Sequence, residues 1–178
     1  MKQDENRLVV FEKEKIMERG KSEKYFFKYA FPCAQVKTKL SSLSLEEYNK
    51  LKESFLENTC PDKKTLEKDF KAAFRRIEKL AEKMNKKMWD FEVIQEYWIR
   101  NHNEVIDQGD GMYGIASEKF KDLCKIHKAE VIEINKQTRE LRVSYNNKQR
   151  IVSNFLIQDA NVGDKVRIHF AFAIEKVD

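Results

Sequence analysis

Proline and glycine are scarce in this chain, with two and five among 178 residues. Helix interiors exclude both, so their scarcity removes the loop-rich and collagen-like classes and leaves room for long helices. Cysteine is sparse as well. Cys33, Cys60 and Cys124 make an odd number with no Cys-x-x-Cys pair, which excludes a disulfide framework or a zinc-ribbon spacing and reads as reduced thiols. No apolar run approaches the ~20 residues that span a bilayer, and Met1 to Glu14 is too polar for a secretory signal. The expectation is a cytoplasmic protein with no membrane association. An excess of one charge sign is also missing. The net charge of +5 divides into +2 before Cys124 and +3 from it onward, with acids interleaved among the bases throughout. A concentrated phosphate-binding face is not expected from such mixing. G-x-S-x-G, H-E-x-x-H and phosphate-loop motifs are absent, so the chain is expected not to be an enzyme.

What is present is 41% apolar, 11% aromatic and 37% charged residues, the profile of a folded core under a highly charged surface. Leu8 to Phe11 and Tyr25 to Phe31 are short apolar or aromatic runs that suit two short strands, or a strand and a docking arm. Pro32 stands where a helix could begin, which would put Cys33 in its first turn and make its thiol more acidic. Ser44 and Glu47 form a capping box opening a helix from Leu45 to about Glu57. Cys60-Pro61 breaks the chain, and Asp62 or Thr65 can cap a second helix carrying Leu66, Phe70, Phe74, Ile77, Leu80 and Met84 on one stripe. A third helix from about Asp90 carries Phe91, Ile94, Tyr97, Trp98 and Val105, with His102 near its end as a cap. The glycines of Gln108 to Gly114 mark a junction, which reads as a flexible hinge, and a short helix from Ser117 to about Leu123 then leads to Cys124. Residues 1–114 are thus expected to form a mainly helical domain of about three helices, and the aromatic stripe within it a core.

From Ile126 the period changes to strands, at Ile126 to Ile134, Arg139 to Tyr145, Arg150 to Ile157 and Lys165 to Ile174, with a hairpin turn at Asn146 to Gln149. The fold class is therefore α+β, a helical unit followed by a small OB-like antiparallel β-barrel over residues 115–178. The closing strand is the most informative. Gly163 and Asp164 supply an entry turn. Period-two alternation then puts Val166, Ile168, Phe170 and Phe172 on one side and Lys165, Arg167 and His169 on the other, which should be the wet one.

This closing stretch, Val162-Gly163-Asp164-Lys165-Val166-Arg167-Ile168-His169 continuing through Phe172-Ala173 into Ile174-Glu175-Lys176-Val177-Asp178, resembles the HypC/HupF-type hydrogenase-maturation chaperones. Their strand reads V-G-D-x-V-x-x-H-x-G-F-A. Cys124, Val131, Glu133 and Ile134 stand at the spacings of that family's opening motif. The resemblance covers Cys124 to Asp178. It departs from the family pattern in placing 123 residues before the cysteine, Lys128-Ala129 where the family has Pro-Gly, and Ala171 where it has Gly. It implies an OB-like barrel and a non-enzymatic chaperone or adaptor. Such a protein holds iron transiently through Cys124 and His169, and it has a maturation factor or metalloenzyme subunit as partner, with Lys165 and Arg167 at the contact. Lys125 and His127 beside Cys124 favour a thiolate, while the end of the preceding helix opposes one. A free cysteine also commonly ends as a small buried hydrophobe. The alternative is a single-stranded RNA-binding OB-fold that uses Arg139, Arg142, Arg150 and Arg167 with Tyr145 or Phe155 as stacking groups.

Overall fold

A computed structural model describes residues 20–40 and 42–178. The first apolar run, Leu8 to Phe11, lies outside the described residues. The second is a helix rather than a strand: α1 spans Lys21–Ala30, and its aromatic run buries Phe26, Phe27 and Tyr29. Tyr25-Phe26-Phe27 reads locally as strand because aromatic residues favour one, but Phe26 to Tyr29 is one helical step, and both rings pack on Trp98. A 3₁₀ turn, Phe31–Cys33, with Pro32 in its first positions, carries the chain from α1 into α2, Ala34–Lys39.

The capping box forms as expected. Ser44 Oγ accepts from Glu47 N at 3.1 Å and Glu47 Oε2 accepts from Ser44 N at 2.9 Å, opening α3, Leu45–Leu56. Asp62 caps the next helix through Thr65 N, but the expected single helix is two, α4 (Lys63–Asp69) and α5 (Lys71–Met84), broken where Phe70 takes φ −118° and ψ 38°. The third helix runs through α6 (Phe91–Glu96), a π-helical segment (Tyr97–Asn101) and α7 (His102–Asp107). The π segment widens the turn that carries Trp98 and His102. Such insertions recur at functional positions because they turn side chains off the ordinary helical face.

After a 3₁₀ turn, Gly111–Gly114, helix α8 (Glu118–Cys124) starts from a Ser117 cap and leads into the barrel. Its strands are β1 (His127–Asn135), β2 (Glu140–Tyr145), β3 (Lys148–Ser153), β4 (Lys165–His169) and β5 (Phe172–Val177). They close in the order β1-β2-β3-β5-β4, the last pairing back to β1. All pairs are antiparallel except β3 with β5, joined in parallel at Ser153 and Phe172. The β2–β3 turn is Asn146-Asn147 alone, with φ 46° and 58°, the two positive angles of a type I′ turn that asparagine accepts at low cost.

The expected long final strand is folded into a hairpin. Phe170 turns the chain with φ 51°, and β5 comes back along β4, with one extra residue between the pairs Arg167–Glu175 and Ile168–Ala173. The alternation therefore holds only to His169. Val166 and Ile168 enter the barrel core with Val131, Leu141, Val143 and Val152, whereas Phe170 and Phe172 leave it. The bulge also sends Ala173 into the barrel and Ile174 out toward the helices. Helical unit and barrel consequently share one apolar layer. Ile126 and Ile174 belong to the aromatic core of Phe26, Phe31, Phe55 and Trp98, and Phe155 and Phe172 pack against it. None of the described helices is long and apolar enough to cross a membrane.

Candidate functional site

His169 lies on the outer face of the barrel, on the side its strand phase predicts, yet it is fully buried because the helices cover that face. The wet surface expected there is replaced by Tyr29, Cys33, Trp98 and His102. His169 Nδ1 is 2.8 Å from the Tyr29 carbonyl, and Nε2 is 3.3 Å from Cys33 Sγ. A carbonyl only accepts, so Nδ1 carries the hydrogen, and the lone pair of Nε2 faces the sulfur. The local sequence makes this carbonyl available. Pro32 has no N–H, and in the 3₁₀ register its missing bond is the one that would end on Tyr29.

Burial holds the His169 imidazole down to about 4, so it is neutral at physiological pH. Burial likewise pushes the Cys33 thiol well above its usual value, and the nearby Cys124 sulfur adds to that rise. The acidity expected for a cysteine at a helix start is reversed, since Cys33 sits between two helical segments rather than at a free N-terminus. Cys33 nevertheless keeps part of its surface open, because it lines a cavity of about 560 Å³. His102 lines the same cavity, with its ring 5.2 Å from that of His169 and its Nδ1 without a hydrogen-bond partner among the described residues. It is no exposed helix cap; burial keeps it neutral.

Cys124, the thiol expected to face His169, is only 2% exposed and packs with Val105, Ile106 and Tyr113. Burial raises it to about 12. It bears on His169 through its main chain, whereas the sulfur that contacts the imidazole belongs to Cys33. Among the described residues no three His, Cys, Asp or Glu side chains are grouped so as to hold a metal ion. The donors brought together are thus one thiol and one imidazole, a pair suited to a soft or borderline metal.

The two basic residues expected at a partner contact are engaged within the fold. Lys165 pairs with Glu130, and Arg167 Nη1 donates to Glu175 Oε1 at 2.8 Å. Glu175 also accepts from Tyr29 Oη at 2.6 Å, Tyr25 Oη at 3.2 Å and Lys28, clamping β5 to α1. Burial would push this carboxyl up, but the bonds from Lys28, Tyr29 and Arg167 bring it below its usual range.

The residues weighed for RNA do not form an open face. Tyr145 is 6% exposed and donates to Asp122 Oδ2 at 2.9 Å, and Arg150 donates to the same oxygen at 3.1 Å. Arg142 pairs with Glu133 at 2.8 Å, and Arg139 is exposed at φ 57° in the β1–β2 turn. Phe155 is half-buried against Phe55.

No protein-family model matches the chain, and a search of curated proteins returns no match. Sequence reasoning separated Cys33 from His169 for a physical reason. They are 136 positions apart, and only the docking of α1 on β4 and β5 joins them. The one local signal was Pro32, which marks the break where the sulfur turns inward.

Proposed function

We propose that this protein is a non-enzymatic adaptor that holds a metal as cargo through Cys33 and His169. The resemblance of its tail to HypC/HupF-type chaperones favours iron and a metalloenzyme subunit or maturation factor as the receiving partner. The observation that supports this reading is the 3.3 Å approach of Cys33 Sγ to His169 Nε2, with Nδ1 anchored on a main-chain carbonyl. Anchoring the far nitrogen is how metal-binding imidazoles are oriented. Two protein donors leave the remaining coordination positions open, which suits cargo that is handed on rather than a resident structural ion.

Loading the pair requires the thiol to lose its proton to solvent through the cavity while the imidazole, already neutral, loses none. Uptake therefore releases one proton. Affinity is expected to rise about tenfold per pH unit through the neutral range. In this reading the Cys124 sulfur is structural. The test is an anaerobic titration with Co(II) as an optical probe for Fe(II). Cys33→Ala and His169→Ala are expected to abolish the sulfur-to-metal absorption band, and Cys124→Ala to retain it. A band that survives Cys33→Ala and disappears in Cys124→Ala would return the metal role to the barrel cysteine. No band in the native protein would leave the seam as packing alone.

A further inference from the structure

The cavity beside Cys33 has features that holding a metal does not use. It opens between α2, the first turns of α5 and the π segment. Lys37, Lys71, Arg75 and Arg76 line it, and among the described residues none that lines it is acidic. Of the neighbouring carboxylates, Asp69 lies by Lys37 and Lys68, and Asp110 is divided between two guanidinium groups, with Oδ2 accepting from Arg76 Nε at 2.7 Å and from Arg75 Nη2 at 3.3 Å. Burial lowers the Lys37 ammonium below its usual range, against the opposing pull of Cys33 and the Asp69 carboxylate.

Two buried polar atoms of the same wall have no partner among the described residues: Trp98 Nε1 and His102 Nδ1, on side chains of residues 3% and 4% exposed. Buried polar groups are nearly always hydrogen-bonded, and an indole N–H can only donate. Four lining cations against two neighbouring carboxylates, with an unused donor beside them, leave the cavity short of oxygen acceptors carrying negative charge. Its volume of about 560 Å³ is that of a small-molecule site.

We propose that this cavity binds a small oxyanion, a carboxylate or phosphate compound, whose oxygens take the Trp98 N–H and the charges of Lys37, Lys71, Arg75 and Arg76. The site does not depend on a metal at Cys33, although its occupant would lie next to that thiol. Phe70 and Tyr97 supply apolar wall for the rest of the ligand.

The ¹⁵N spectrum of the full chain tests this directly, because the chain has two tryptophans and Trp89→Phe assigns their indole signals. Inorganic phosphate and succinate are titrated separately at constant ionic strength. A saturable shift of the Trp98 signal is expected, with Trp89, bonded to Glu67, unmoved. The probe that binds more tightly distinguishes the phosphate source from the carboxylate source. The Lys37→Gln/Lys71→Gln variant is expected to weaken binding at least tenfold, whereas Lys52→Gln on α3 leaves it unchanged. No saturable Trp98 shift with either probe, or an unchanged affinity in the double variant, would overturn the proposal.

Discussion

At the scale of single residues, His169 shows how phase and exposure separate. Its side of the strand follows from period two, but its burial follows from a helical layer that no pattern within β4 reports. Burying a neutral imidazole has a consequence for stability. The folded pKa, about 4, lies below the usual 6.5, so the unfolded chain binds this proton first as pH falls. Stability is complete above about pH 6.5 and declines as pH falls toward 4, by roughly 3 kcal/mol from this group. His102 and His127 are also lowered by burial and act in the same direction. Urea midpoints measured at pH 7.5 and 4.5 are expected to drop, and the His169→Asn variant is expected to show a shallower drop.

Among the elements, those bounded by short-range chemistry were the legible ones. The Ser44–Glu47 box and the Asp62 and Ser117 caps each act within three residues, so their helices start where the sequence signals. The breaks at Phe70 and Phe170 were not legible, because neither residue is a turn former; each is held by what it packs against. Phe170 N donates to the Leu123 carbonyl at 3.1 Å, which ties the β4–β5 turn to α8. The Asn146-Asn147 turn offers a clean test of an element. Asn147→Gly is expected to be neutral or stabilising. Asn147→Val forces a β-branched residue into positive φ and is expected to cost about 1–2 kcal/mol by thermal or urea unfolding.

For the molecule as a whole, the α+β architecture and the OB-like barrel were readable from the change of period near Ile126. The shared layer was not, since Ile126 and Ile174 look like ordinary barrel positions until the β5 bulge turns Ile174 toward the helices. The Gln108 to Gly114 segment reads as a hinge from its glycines. Asp110 is bound there by Arg75 and Arg76, and Tyr113 is buried beside Cys124. Residues 115–178 expressed alone would expose Ile126, Ile174, Phe155 and Phe172. That fragment is expected to unfold at lower urea than the full chain, which is expected to melt in one transition.

The central claim is that a helical thiol, distant in sequence, completes the site of the barrel histidine. Iron-edge X-ray absorption on the anaerobically loaded full chain measures this most directly. One sulfur neighbour and an imidazole are expected in the native protein and in Cys124→Ala, with the sulfur lost in Cys33→Ala; a sulfur that persists in Cys33→Ala would contradict the claim.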